Sequence, residues 1–194
     1  MNSHIIQRIE IWPVDIPITD PFVVATGARV TAQNLFMRVT LHDGTQGIGE
    51  AAPFPEVGGE DRTSCLTAAM ELAAGMVGQS AADYERLADR LNEQAPHSPA
   101  ARCGLETALL DAYCRTQGIP LWQLWGQADV RERDTDITIP ICNLDKTLAL
   151  ARGWYAHGFR LFKMKVGTDV EEDILRLQAV HDALPAIGFI GDGN

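Results

Sequence analysis

Phe162-Lys163-Met164-Lys165-Val166-Gly167 sets two lysines two residues apart in a short apolar run. Side chains alternate along a strand, so Lys163 and Lys165 share one face while Phe162, Met164 and Val166 take the other. Two ammonium groups on one inward face repel each other and give up hydration. A fold keeps such a pair where a charge or a reaction requires it. The last three residues, Asp192-Gly193-Asn194, repeat the arrangement: two polar side chains, two apart, after the apolar run Ile187 to Ile190.

Working outward, Thr138 lies in a third strand-like segment, Thr135 to Ile141. Thr138 precedes Lys165 by 27 residues, and Asp192 follows Lys165 by 27. Two helical patterns fill the intervals. The first runs from about Leu144 to His157 and stops at Gly158. The second starts at Thr168, with Glu171 three residues on as a capping box, and ends near Leu184-Pro185. Strand, helix and strand at a fixed step predict a parallel βα repeat. Each polar residue falls near the C-terminal end of its strand, where such sheets carry their sites.

The N-terminal part reads differently. Ile5 to Ile18 is strand-like, with Pro13 and Pro17 suggesting an edge or a bend. Thr19 to Ala28 reads as a loop. Leu35, Met37, Val39 and Leu41 alternate, Asp43-Gly44 marks a hairpin turn, and Thr45 to Glu50 returns. The stretch from Gly49 to Glu60 is rich in proline and glycine yet carries Phe54 and Val57, unusual for a solvated linker. Helices are predicted from about Asp61 to Val77, from Ala82 to Asn92, and from Ser98-Pro99 to Gly118, the last with Ser as cap and Pro at the first helical position. The expected organisation is an α+β domain joined to an α/β one, with the boundary in the polar stretch Gly126 to Asp134.

The charge balance excludes some partners. A formal net charge of −10 disfavours nucleic acid, and no lysine-arginine cluster opposes that. No apolar run is long enough to span a membrane, and Met1-Asn2-Ser3-His4 lacks the basic start of a signal peptide. Cys65, Cys103, Cys114 and Cys142 show no metal-like spacing and read as free buried thiols in a reducing cytoplasm. Gly44, Gly47 and Gly49 lie inside a hairpin with Pro53 and Pro55 following. That is the wrong context for a dinucleotide fingerprint. His157 and His181 fall at helix ends, where surface roles are expected.

These residues resemble the enolase superfamily, in its muconate-lactonizing-enzyme-like subgroup, and most closely its dipeptide epimerases. The carriers are Phe162 to Gly167, Asp192-Gly193-Asn194, the loop Gly49 to Glu60, and Gly104-Leu105-Glu106-Thr107-Ala108-Leu109-Leu110-Asp111 leading to Gly118-Ile119-Pro120-Leu121. The resemblance implies an α+β capping domain over residues 1–126, followed in 127–194 by the first strands of a modified TIM (β/α) barrel. It implies Mg²⁺, with Asp192 as the first of three carboxylate ligands. Lys165 is then the acid/base lysine on one face of the substrate, and Lys163 assists at the substrate carboxylate. Asn194 supports the site, and Thr138 matches a position that faces substrate. The substrate is a dipeptide or another small carboxylate, the compartment cytoplasmic, and homo-oligomerisation stays open.

The implied chemistry asks for these residue types. A proton beside a carboxylate is weakly acidic, because the enediolate left behind carries concentrated negative charge. A divalent ion on the carboxylate oxygens stabilises it. A lysine or histidine base beside Mg²⁺ is the established pattern of the superfamily and enters with the resemblance. A lysine acts as base when its pKa falls towards neutrality, and a second lysine and a dication both push it down. The competing view has both lysines snorkelling or ion-paired in a core; Asp192 at matched spacing weighs against it.

Two departures from the family pattern stand out. Gly193 takes the place of a small residue such as alanine. The stretch from Val24 to Gly27 lacks the arginine that acidic-dipeptide epimerases carry there, with Arg29 slightly beyond. Phe22, Val24 and Phe54 make the cap loops apolar, so an uncharged or hydrophobic dipeptide is the expected substrate. Residues 136–194 hold two βα units and one further strand, short of eight, so the barrel is expected to be incomplete in this chain and the chain inactive alone. A muconate-type cycloisomerase or an o-succinylbenzoate synthase shares the lysines and metal site, and a non-catalytic fragment is the alternative outside enzymes.

Overall fold

The computed structural model describes residues 4–24, 27–57, 59–126 and 132–193. The chain divides into two compact units: Met1–Pro17 with Thr31–Val130, and Ile18–Val30 with Arg131–Asn194.

A three-stranded sheet runs β1 (Ile6–Val24), β2 (Gly27–Leu41) and β3 (Gln46–Ala51), in that order; β3 and the parts of β1 up to Pro17 and of β2 from Thr31 belong to the first unit. β2 and β3 pair antiparallel, Leu35 opposite Ala51 and Thr40 opposite Gln46. The alternation holds: Leu35, Met37, Val39 and Leu41 are all fully buried. At the turn, Gly44 takes a φ of 86°, and the Asp43 carboxylate accepts from the Thr45 N–H at 2.9 Å. The expected loop from Thr19 to Ala28 is overturned, since β1 continues to Val24 and β2 begins at Gly27; residues 25 and 26 lie outside the described ones. The β-branched residues of this stretch favour extension, and β1 is an edge strand, where Pro17 and Pro21 can turn their missing donors away from the ladder.

Three helices follow, α1 (Arg62–Met76), α2 (Tyr84–Gln94) and α3 (Pro99–Gln117), with a short α4 (Leu121–Leu124) after them; α1 and α2 both pack against α3. Asp61 caps α1 by accepting from the Ser64 N–H. Ser98 makes no side-chain cap bond, against expectation, although Pro99 does open α3 and the left-handed Gly118 closes it. α3 lies directly against β3. A Cβ on Gly47 would strike backbone atoms of Ala108 and Ala112, and one on Gly49 would strike the Gly104 carbonyl. These glycines therefore allow two backbones to touch, and Leu105 and Leu109 join Leu35, Met37, Met76 and Leu87 in one core.

The second unit alternates as predicted: β4 (Asp136–Ile139), α5 (Leu144–Ala156), β5 (Leu161–Val166), α6 (Val170–Ala183) and β6 (Gly188–Gly193). The strands are parallel in the order β4-β5-β6. Phe162 and Met164 are fully buried with Ile139, Ala151 and Val180, while the lysines take the other face. β4 is shorter than expected because Pro140 brings no N–H to continue the ladder. The cap of α6 is also corrected: Asp169, not Thr168, accepts from the N–H groups of Glu171 and Glu172. The four cysteines are free, but only Cys65 and Cys114 are buried. Burial and the neighbouring Glu60 carboxylate push the Cys65 thiol up to about 12. No described helix is long and apolar enough to cross a membrane.

Candidate active site

The register of the parallel sheet sets Thr138 beside Lys163, and Lys165 beside Asp192. Lys165 is 8% exposed, and its Nζ donates to Asp192 Oδ2 at 3.0 Å. Lys163 Nζ stands 3.7 Å from the same oxygen and 3.8 Å from Asp136 Oδ2. Two ammonium groups thus face two carboxylates, which offsets the repulsion that the sequence alone leaves unbalanced. The Lys165 hydrogen bond holds the Asp192 carboxyl below the ordinary aspartate range. Burial opposes this, and the charges of Lys165 and Lys163 reinforce it.

Asp136 is a site residue that the sequence pattern does not mark, because it opens β4 rather than closing it. Its signal is its place two residues before Thr138, on the same face of β4. Phe22, near the end of β1, belongs to this unit, and its ring centroid lies 5.8 Å from Lys165 Nζ, within cation–π reach. Phe54 belongs to the first unit, in the segment after β3, where its carbonyl accepts from the Gly59 N–H. The side chain of Val24 and the whole of Asn194 lie outside the described residues. A cavity at the N-terminal ends of the strands, lined by Thr135, Arg160 and Gly188 among others, holds none of the candidate residues.

Asp192 offers the hard carboxylate oxygen that Mg²⁺ takes. Among the described residues no group of three or more His, Cys, Asp or Glu could hold a metal ion. Among the described residues Asp192 thus fits Mg²⁺ as a carboxylate ligand without a cluster of three around it, through the oxygen that the two lysines now approach.

The N-terminal domain model of the mandelate racemase/muconate lactonizing enzyme family matches residues 7–126, more than half of the chain, and the chain belongs to that family. It is 39% identical over 190 residues to an aromatic dipeptide epimerase of Herpetosiphon aurantiacus, which covers 97% of this chain and 53% of the relative. It is 35% identical over 182 residues to a hydrophobic dipeptide epimerase of Citrifermentans bemidjiense, covering 92% of this chain and 50% of the relative. A dipeptide epimerase from Methylococcus capsulatus, solved in complex with Mg and the dipeptide L-Arg-D-Lys, superposes with a TM-score of 0.89 at 32% identity, over 97% of this chain and 54% of that one. The chain spans about half the length of the curated relatives it matches.

Proposed function

We propose that this chain is the capping domain and first barrel strands of a Mg²⁺-dependent dipeptide epimerase that prefers uncharged or hydrophobic dipeptides. The observation that carries the reading is the Lys165–Asp192 pair, 3.0 Å apart on adjacent parallel strands. Lys165 is the acid and base on one face of the α-carbon. It takes the proton from the epimer that presents it there and delivers one to the same face when the reaction runs from the other epimer. A second acid/base group on the opposite face completes the 1,1-proton transfer. Its low exposure and the Phe22 ring beside it keep water away from that exchange. Lys163 supports the substrate carboxylate, and Thr138, next to it in the register, faces the substrate. Asn194 supports the site in this reading. Asp192 holds Mg²⁺, which when bound stabilises negative charge on the carboxylate oxygens. Residues 1–126 form the capping domain in this reading, and 127–194 begin the barrel.

Specificity falls to the cap, because lysines and metal act on the carboxylate and α-carbon common to all dipeptides. Neither Pro21 to Ala28 nor Ala51 to Glu60 contains an arginine or lysine, and Phe22, Val24 and Phe54 make both stretches apolar. An acidic side chain there loses water without gaining a partner, at a cost of several kcal/mol. An apolar one gains about 1–3 kcal/mol from burial. The names of the Herpetosiphon and Citrifermentans relatives, aromatic and hydrophobic dipeptide epimerase, point the same way. A panel of L,L-dipeptides assayed by deuterium incorporation at the α-carbon tests this. The expected result is a higher kcat/KM for Ala-Leu and Ala-Phe than for Ala-Glu. The reverse order overturns the preference and directs attention to Arg29.

A further inference from the structure

We propose that Arg176, paired with Asp173, is a positioning residue for Lys165. Clamping the C-terminal ends of β4 and β5 from the helix side fixes where the lysine ammonium stands. The inference rests on the role given to Lys165 above.

Arg176 is 3% exposed and Asp173 8%, one turn apart on the inner face of α6. A buried ion pair is an expensive way to fill space, since two apolar side chains would do so without stripping water from charges. What the pair offers instead is directed hydrogen bonding. The Arg176 guanidinium donates to the carbonyl of Lys165 at 2.9 Å, to the carbonyl of Pro140 at 3.4 Å, and to Asp173 Oδ1. Asp173 Oδ2 accepts from the Gly167 N–H at 2.7 Å.

These contacts fall where the sheet can no longer hold itself. The β4–β5 ladder ends at Ile139 opposite Met164, and Pro140 has a carbonyl but no N–H. Gly167 turns away with a φ of 119°, so the chain leaves the sheet two residues after Lys165. The carbonyl of Lys165 and the next-but-one amide are thus both fixed by α6. Rotation of the peptide after Lys165 would swing its Cα–Cβ bond and move the Nζ away from Asp192 and the Phe22 ring. One guanidinium also ties the end of β4, which carries Thr138, to the end of β5.

The test compares Arg176→Met and Arg176→Lys with Lys165→Ala, and with Arg152→Met on the exposed side of α5 as control. Deuterium exchange at the α-carbon is followed from each of the two epimers of a hydrophobic dipeptide in the intact protein. Nuclear Overhauser contacts between the Lys165 side chain and the Phe22 ring are followed in the 194-residue chain. A small misplacement of a reacting group costs up to about 100-fold, so Arg176→Met is expected to slow exchange on the Lys165 face by about 10- to 100-fold. The other face should change only with the folded fraction, and Arg176→Lys should lie between. The Lys165–Phe22 contacts should vanish in Arg176→Met and persist in Arg152→Met. Equal loss on both faces, or unchanged Lys165–Phe22 contacts, overturns the proposal. If the wild type exchanges neither epimer, the epimerase reading fails, and the Overhauser comparison still decides the positioning role. If Arg176→Met does not fold, Arg176→Lys decides by the same two readouts.

Discussion

Lys165 and Asp192 meet through one hydrogen bond, and each supports its own prediction. A base on one side of a planar intermediate serves one epimer, so under the proposed epimerase reading Lys165→Ala should abolish α-proton exchange from one epimer and leave metal binding intact. Continued deuterium uptake from both epimers would make Lys165 a structural residue. For Asp192 the folded carboxyl titrates below its unfolded value, since the Lys165 hydrogen bond outweighs the opposing burial. A lowered carboxylate pKa stabilises the fold fully above about pH 4 and loses that contribution as pH falls through the lowered value. The stability difference between wild type and Asp192→Asn, from urea unfolding across the acid range, should therefore shrink on acidification. A difference independent of pH would mean that the pair contributes nothing in solution. The two lysines and Asp192 could be seen in the sequence because alternation and spacing are local. Asp136, Asp173 and Arg176 could not, because their roles come from partners on other strands and helices.

Among the elements, the contact of β3 with α3 depends on the absence of side chains. Gly49→Ala should cost about 1–3 kcal/mol or more, because the added methyl meets the Gly104 carbonyl and neither backbone can give way. Gly153 is exposed in the last turn of α5 with nothing near its missing Cβ, so Gly153→Ala should instead add up to about 0.5–1 kcal/mol. Thermal or urea unfolding separates the two, and equal effects would contradict the close packing. The elements read well where one strong local signal dominates, as at Asp61, Asp43-Gly44 and Gly118. They read poorly where signals compete. Thr168 and Asp169 are both good caps, and the one whose oxygen reaches the first free amides prevails. Pro21 suggested a loop, yet an edge strand tolerates it.

For the molecule as a whole, the metal offers the sharpest test. Mg²⁺ keeps several waters and gains affinity from several oxygen ligands, while the described residues supply Asp192 without a cluster around it. Calorimetric titration of the 194-residue chain with Mg²⁺ should show no submillimolar site. Tight stoichiometric binding would contradict the role of Asp192 as one ligand of several. The βα repeat, the antiparallel meander, the helices and the lysine-bearing face could all be read from the chain as written, because periods of two and 3.6 residues and the cap and turn chemistries act over a few neighbours. Other features needed the folded chain. The end of the first hairpin joins the second unit and sets Phe22 by Lys165, Asp136 shares Lys163 with Asp192, and Arg176 anchors the end of β5. Those contacts link residues far apart in the chain, and their energies depend on burial and register, which no local pattern encodes.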